Sequence, residues 1–544
     1  MGAGGGGAVM QRRAFLGSCT LALAGCQPTA VLEGGFTGTR PERGHRLRDK
    51  SLSGTPARTR TAHTLVLGGG VAALAATRAL RLRGREDFAV LELEDSAGGN
   101  ARAGVMGGMA HPLGAHYLPL PGDDAPEVQD LLEELGLRSR SSGRWVYAER
   151  HLCHSPQERL LFHGQWQDGL LPLQGVEAST LAQYRRFAAL VAQAQKRSHW
   201  AIPVQKSRLS PEDIALTAIT FVAWLEREGL TDAHLRWYLD YCCRDDYGAG
   251  IATVSAWAGL HYFASRHGFH APGMEGGERE AVLTWPEGNA WLTQRLAAPL
   301  GARLCTGRVV LRVLEGRHGV AVDAWDSTTQ QLERWQARQA IVALPLHVAA
   351  RVLDNPPDFL RQAVAHLVHA PWLVANLLLD APLRDRAGAA PSWDNVLYGT
   401  EGLGYVDAMH QSLRSVPGAT VLTHYRTLMP TTPGTTPQQA AHQARTQLLD
   451  TPWEHWRDTV LDELTLAHPD LPSKVRRLDI TRYGHAMACP APGFASQIGL
   501  QPPQNMRNAL PKTERLAFVH SDWSGYSIFE EAFVRGHWAG QLSA

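Results

Sequence analysis

Gly68, Gly70 and Ala73, with Glu92 placed 24 positions after the first of them, are the residues of this chain whose types and spacing point most directly to chemistry. Gly68 permits a tight turn, Gly70 lets the backbone approach a pyrophosphate with no Cβ in the way, and Ala73 is small enough for a helix to pack on a strand. A carboxylate at the Glu92 offset accepts hydrogen bonds from ribose hydroxyls, and its charge disfavours a 2′-phosphate. Glu94 is the rival for that role. The elements that must position these groups occur in order along the chain. Thr64–Leu67 is a short apolar run that reads as a strand buried on both faces. Val71–Leu82 reads as a helix whose first amides, those of Val71 and Ala72 included, face the phosphates. Phe88–Leu91 reads as a second strand, which Glu92 closes. Strand, glycines, helix, strand and acid in this sequence predict a dinucleotide-binding βαβ unit.

The continuation Glu92, Gly98, Gly99, Asn100 and Arg102 resembles a segment of the flavin amine oxidase, protoporphyrinogen oxidase and phytoene desaturase superfamily. The likeness recurs at Trp285-Pro286-Glu287-Gly288-Asn289, at Val309 and Val310, in the apolar run 340–345, and in FVHSDWSGYSIFEEAFVRG at 518–536. The resemblance implies FAD rather than NAD as cofactor. Asn100 stands where the family commonly has arginine, so a charged contact to the cofactor phosphate is either missing or taken over by Arg102. By the same resemblance, Val310 touches the adenine side and Asp522 takes the ribityl or pyrophosphate position. Ser527 and Ile528 open a helix aimed at the flavin ring, and the backbone of Gly114, Ala115, His116 and Tyr117 runs along it.

The blocks lie at the beginning, middle and end of the 544 residues. The expected class is therefore α/β, with a Rossmann-like FAD-binding domain assembled from 63–120, 284–352 and 475–544, and an α+β substrate domain from 121–283 and 353–474. A composition of 44% apolar and 19% charged residues suits a folded enzyme with a large core. A net charge of +1 gives no reason to expect nucleic acid as partner.

The first 26 residues carry a separate signal. Gln11-Arg12-Arg13-Ala14-Phe15-Leu16, a short apolar run and Leu23-Ala24-Gly25-Cys26 read as a twin-arginine export signal ending in a lipobox, with Cys26 lipidated. Either Met1 or Met10 serves as the start. Residues 27–62 are rich in Gly, Thr, Arg and Pro and are expected to be a flexible tether. The reading places the protein on the periplasmic side of a bacterial membrane, attached to its surface through a lipid anchor. This route suits a flavoprotein, because it moves a folded protein with its cofactor already in place.

In a flavoenzyme the cofactor carries the redox chemistry and the protein supplies position and electrostatics, so no nucleophile is required. His116 and Tyr117 are candidate catalytic residues, against the competing reading of a structural His–Tyr turn. Tyr483 and His485 are the second pair, since relatives bring that region to the flavin face. Trp393 and Tyr405 are candidate pocket walls framing a hairpin, while Arg244, Asp245 and Asp246 read as an ion-pair network at a helix end. Many amine oxidases of the superfamily hold a water on flavin N5 with a lysine; the matching stretch Trp372 to Leu377 has none. Cys242 and Cys243 read as core residues, and no metal-binding spacing occurs. The expected activity is hydride abstraction from a C–N or C–C bond of a small or apolar substrate, with dioxygen or a quinone accepting electrons. A desaturase or isomerase acting on a lipid-like substrate, and a FAD-stabilised binding protein without turnover, are the alternatives.

Overall fold

A computed structural model describes residues 1–2, 32–48, 54–153, 156–273, 281–411, 414, 416–430, 434–494 and 510–543. The twin-arginine segment and Cys26 lie outside the described residues.

Thr64–Leu67 is the middle strand of a five-stranded, all-parallel sheet ordered Leu304–Cys305, Phe88–Leu91, Thr64–Leu67, Gln339–Val342 and Leu516–Phe518. Every residue of Thr64–Leu67 and of Phe88–Leu91 is buried, as a parallel sheet covered on both faces requires. Helix Val71–Leu82 covers it with an alanine-rich face, and the C-terminal helix Phe529–Leu542 packs on that face. Gly536 and Gly540 make the close crossing; a Cβ on either would run into the carbonyl oxygens of Ala72 or Ala76. The first helix of the βαβ unit is thereby fixed by the last helix of the chain.

A second sheet of four strands joins Arg308–Glu315, Val320–Asp326 and Gln331–Ala337 in antiparallel order and adds Arg58–Thr61 at its edge. The largest sheet has eight strands, in the order Glu33–Thr37, Val475–Cys489, Val368–Leu379, Thr420–Thr427, Tyr405–Asp407, Asp394–Leu397, Glu158–Phe162 and Gln165–Asp168. Its strand Val368–Leu379 is almost wholly buried because its two faces enter different cores. Val368, Ala370, Trp372 and Val374 pack with helices Ala178–Arg197, Phe221–Arg227, Ala233–Tyr247 and Ala256–Ala264. Leu373, Ala375, Leu377 and Leu379 pack with helices Pro437–Asp450 and Trp453–Thr465. The period of two along a strand accounts for this division.

Three expectations about organisation change. Within 27–62, Glu33–Thr37 is a strand parallel to residues 477–481, and Arg43 bonds the Leu93 carbonyl and Asp95. This edge is held by backbone hydrogen bonds and arginine contacts rather than by apolar burial, so it carries no hydrophobic periodicity to read. Val475–Cys489, expected in the nucleotide-binding part, pairs along Val368–Leu379 in the large sheet, with Leu478 and Ile480 in its core. Helix Pro126–Glu134, expected in the substrate part, sends Val128, Leu131 and Leu132 into the core shared with Val71–Leu82. All five cysteines among the described residues are free, and Cys242, Cys243 and Cys489 are buried. No helix among the described residues is long and apolar enough to cross a membrane.

Candidate active site

The turn after Thr64–Leu67 is a glycine cradle closed by a carboxyl group. Gly68 has φ of +99° and Gly70 caps the following helix. The Gly69 amide, a donor not foreseen from the sequence, bonds one Glu92 oxygen at 2.5 Å, and the Glu94 amide bonds the other at 2.7 Å. Burial raises the Glu92 carboxyl to about 7 even though these two amides act to lower it. Glu94 itself is turned away, accepting from the Arg40 amide at 3.1 Å and facing Arg102 at 3.6 Å.

A cavity of about 350 Å³ extends from this cradle. Gly68, Gly70, Val71, Ala72, Glu92, Gly98, Gly99, Asn100, Ala115, Val310, Asp522, Ser527 and Ile528 all line it. Four expected ligands do not, among them His116, which lines the neighbouring cavity. Ala73 is buried in the helix–sheet contact, and Arg102 donates to the Gly99 carbonyl at 3.0 Å, bracing the loop from behind. Gly114 lines the neighbouring cavity instead. Asn100 lines the cavity with its amide donating to the Ala486 carbonyl at 2.8 Å. Asp522 is already bonded by the Leu346 amide and by His369, each at 3.0 Å. Burial works to raise its carboxyl, but His520 and His369 hold it well below the usual aspartate range. A carboxylate keeps lone pairs for further donors after two bonds.

The residues fit FAD. A Cβ on Gly70 would meet only the Gly99 Cα, at 3.9 Å, so the space a phosphate group needs is open there. Glu92 and the stretch Arg308 to Val310 would hold the adenosine half. Ala115, Asn289, Ser527 and Ile528 line both this cavity and a second one of about 160 Å³, and mark where the ring would lie.

The second cavity is walled by His116, Tyr117, Trp372, Val374, Tyr425, Tyr483 and Met487. His116 stacks on Tyr425 at 4.3 Å and lies 5.4 Å from Trp393; burial pushes its imidazole down to about 3, leaving it neutral. The Tyr425 hydroxyl donates to the Gly114 carbonyl and Asn289 to that of Tyr117, which fixes the backbone between the cavities. Of the expected catalytic residues, His116, Tyr117 and Tyr483 line this pocket. His485 does not; it lines the cofactor cavity and stacks on His347 at 4.2 Å.

The pocket runs on into a third cavity through His116, Tyr117, Asp245 and Arg266. Glu158 and Asp394 line this far end. Asp394 opens the expected hairpin, paired with Val406, and Trp393 is a wall there. Tyr405 is not, its hydroxyl being bonded to His468 at 2.6 Å in the interior. The expected ion-pair network is rearranged. Asp246 pairs with Arg266 at 3.0 Å and Arg244 with Asp240 at 2.9 Å, leaving Asp245 on the cavity wall near the Tyr117 hydroxyl at 3.4 Å. Burial, then the charge of Asp246, raises Asp245 to about 7, and burial followed by Asp245 and Glu158 raises Asp394 well above its ordinary value.

A dinucleotide cradle that opens at its ring end onto an aromatic pocket is the arrangement of an FAD-dependent oxidoreductase. The chain belongs to the flavin containing amine oxidoreductase family, whose model matches residues 72–536. An L-amino acid dehydrogenase of Synechocystis sp. is 31% identical over 153 residues, a match covering 28% of this chain and 30% of that relative's length. Among solved structures, a putrescine oxidase variant superposes with a TM-score of 0.64 at 16% identity, covering 89% of this chain and 98% of the other. Cyclohexylamine oxidase from Brevibacterium oxydans IH-35A gives 0.60 at 17% identity, with 89% and 98% covered. A CLA-producing fatty acid isomerase from P. acnes gives 0.59 at 15%, with 88% and 97% covered.

Proposed function

We propose that this oxidoreductase removes two electrons from a C–N bond of a substrate that carries a second positive charge, such as a diamine or a basic amino acid. The observation that carries this reading is the placement of carboxyl groups at the end of the pocket remote from the cofactor cavity. Glu158 and Asp394 are directly paired residues of neighbouring parallel strands, and Asp245 faces the same space from helix Ala233–Tyr247. Like charges side by side in a sheet destabilise it. A cation drawn into the cavity relieves that repulsion and lets the raised carboxyls ionise around it.

Bound FAD supplies the two-electron acceptor for this chemistry. The chain does the rest by position. Asp245, Asp394 and Glu158 bind the distal ammonium, while Trp372, Tyr425 and Tyr483 confine the apolar stem and exclude water. The substrate C–H gives up a hydride, its nitrogen a proton, and the resulting imine is hydrolysed to a carbonyl compound and ammonia. The neutral His116 cannot repel the incoming cation, and its stacking on Tyr425 keeps that wall in place. An amino acid is a second reading, since Arg266, paired with Asp246, lines both substrate cavities and places a positive charge beside them. A lipid-like substrate fits the carboxyl-lined end poorly.

The purified flavoprotein, incubated with diamines and amino acids under air or with a soluble quinone, is expected to form ammonia and a carbonyl product in equal amounts. Peroxide under air marks dioxygen as acceptor, whereas turnover only with the quinone marks the other. Products that retain all their nitrogen would contradict the C–N assignment.

We also propose, from the sequence alone, export by the twin-arginine route and lipid anchoring at Cys26 on the periplasmic side. Cys26→Ser should move the protein from the membrane to the soluble fraction on cell fractionation. Unchanged membrane association would remove the anchor.

A further inference from the structure

Around Asp522 the fold gathers more imidazole than a buried carboxylate needs. His369 bonds Asp522 at 3.0 Å and His520 lies 3.2 Å from it. The rings of His347 and His369 are 5.1 Å apart, and His347 in turn stacks on His485. One ligand atom each from His347, His369 and Asp522 lies within 4.8 Å of the other two. The Nδ1 of His347 is buried with no hydrogen-bond partner, an arrangement that costs free energy unless something binds there.

We propose that His347, His369 and Asp522 form a binding site for a divalent transition-metal ion. Two imidazoles and one carboxylate are a donor set for such ions, with zinc, iron, nickel and copper all served by imidazole nitrogen. Metal–ligand bonds of about 2.0–2.2 Å require the three donors to draw together, and the His369–Asp522 pair already stands at 3.0 Å. His520 accepts a hydrogen bond from the Asp522 backbone amide at 3.1 Å, which fixes the backbone that carries the carboxylate.

The ligands come from three separate pieces of chain: the first turn of helix Leu346–Val352, the start of strand Val368–Leu379, and the C-terminal block. An ion there ties all three together next to the cofactor cavity. Only Asp522 of the three is a lining residue of that cavity, so metal and FAD are coupled through one shared side chain and can still be separated by mutation.

The test uses tag-free, FAD-loaded protein treated with a chelator, dialysed, and titrated with zinc chloride while bound metal and melting temperature are followed. One zinc per chain and a melting temperature raised by several degrees are expected. His347→Ala should weaken zinc binding at least 30-fold and keep the visible flavin spectrum, which also reports that the variant has folded. His455→Ala, at an exposed helix position, should bind zinc as the parent does. Uptake of less than half an equivalent by the parent, or equal uptake by His347→Ala, would overturn the proposal and leave the cluster a hydrogen-bonded hub.

Discussion

Gly70→Val is expected to give a folded protein that has lost its flavin. Gly70 caps helix Val71–Leu82 with φ of −74°, a backbone conformation open to any residue, so valine introduces no strain there. The first side-chain carbon meets nothing of the protein closer than the Gly99 Cα at 3.9 Å, so packing of the fold tolerates it. Gly70 nonetheless lines the cofactor cavity at the helix N-terminus, where a pyrophosphate must approach the backbone closely. The added methyls occupy that space, and overlap of this kind costs ~3 kcal/mol, about 10²-fold in affinity. Far-ultraviolet circular dichroism should therefore match the parent while titrated FAD binds about 10²-fold more weakly. Equal FAD affinity in the variant would remove the cradle from the cofactor site.

The second large effect is expected at Asp245. Its carboxyl is raised to about 7, by burial first and then by the charge of Asp246, and it lines the third cavity, where the proposed substrate cation would bind. The ionised form binds the cation, so kcat/KM should rise with pH with a midpoint near 7. The same shift has the opposite sign for the unliganded fold. A carboxyl whose folded pKa exceeds its unfolded one contributes stability at low pH, and that contribution is lost as pH rises through about 7. A bound cation reverses the penalty. Asp245→Asn keeps the shape and removes the charge; loss of one partner of a buried charge pair costs ~3 kcal/mol, about 10²-fold in kcat/KM. The acid limb of the pH profile should vanish with it, while flavin content stays that of the parent. An unchanged limb in Asp245→Asn would place the titrating group elsewhere.

The cofactor half of this site is legible in the sequence because it is local. Glycine turn, helix and acid lie within one βαβ unit, where their order along the chain sets their geometry. Even there Arg102 departs from expectation, since it donates to the Gly99 carbonyl and faces Glu94 instead of lining the cofactor cavity. The substrate half depends on long-range pairing. Glu158 and Asp394 become neighbours only through the parallel register of two strands 236 positions apart, and neither has a local motif. The signal that could have found them is the pair Asp245 and Asp246, where one carboxylate is matched to Arg266 and the other is not needed for that pair. The imidazoles around Asp522 are equally hidden, because His347, His369 and His520 belong to a helix, a strand and a loop far apart in the chain. Glu33–Thr37 escapes for another reason: an exposed edge strand held by its backbone has no apolar pattern to show.

The most direct measurement of the central claim is anaerobic mixing of the purified holoprotein with separate panels of diamines and basic amino acids, neutral monoamines' acylated analogues, and uncharged lipids. A flavin in the cradle with a carboxyl-lined pocket beyond it predicts rapid loss of the visible flavin band with a dicationic amine or basic amino acid, and none with acylated or lipid compounds. Bleaching by the lipids alone, or a purified protein that neither carries nor takes up FAD, would contradict it.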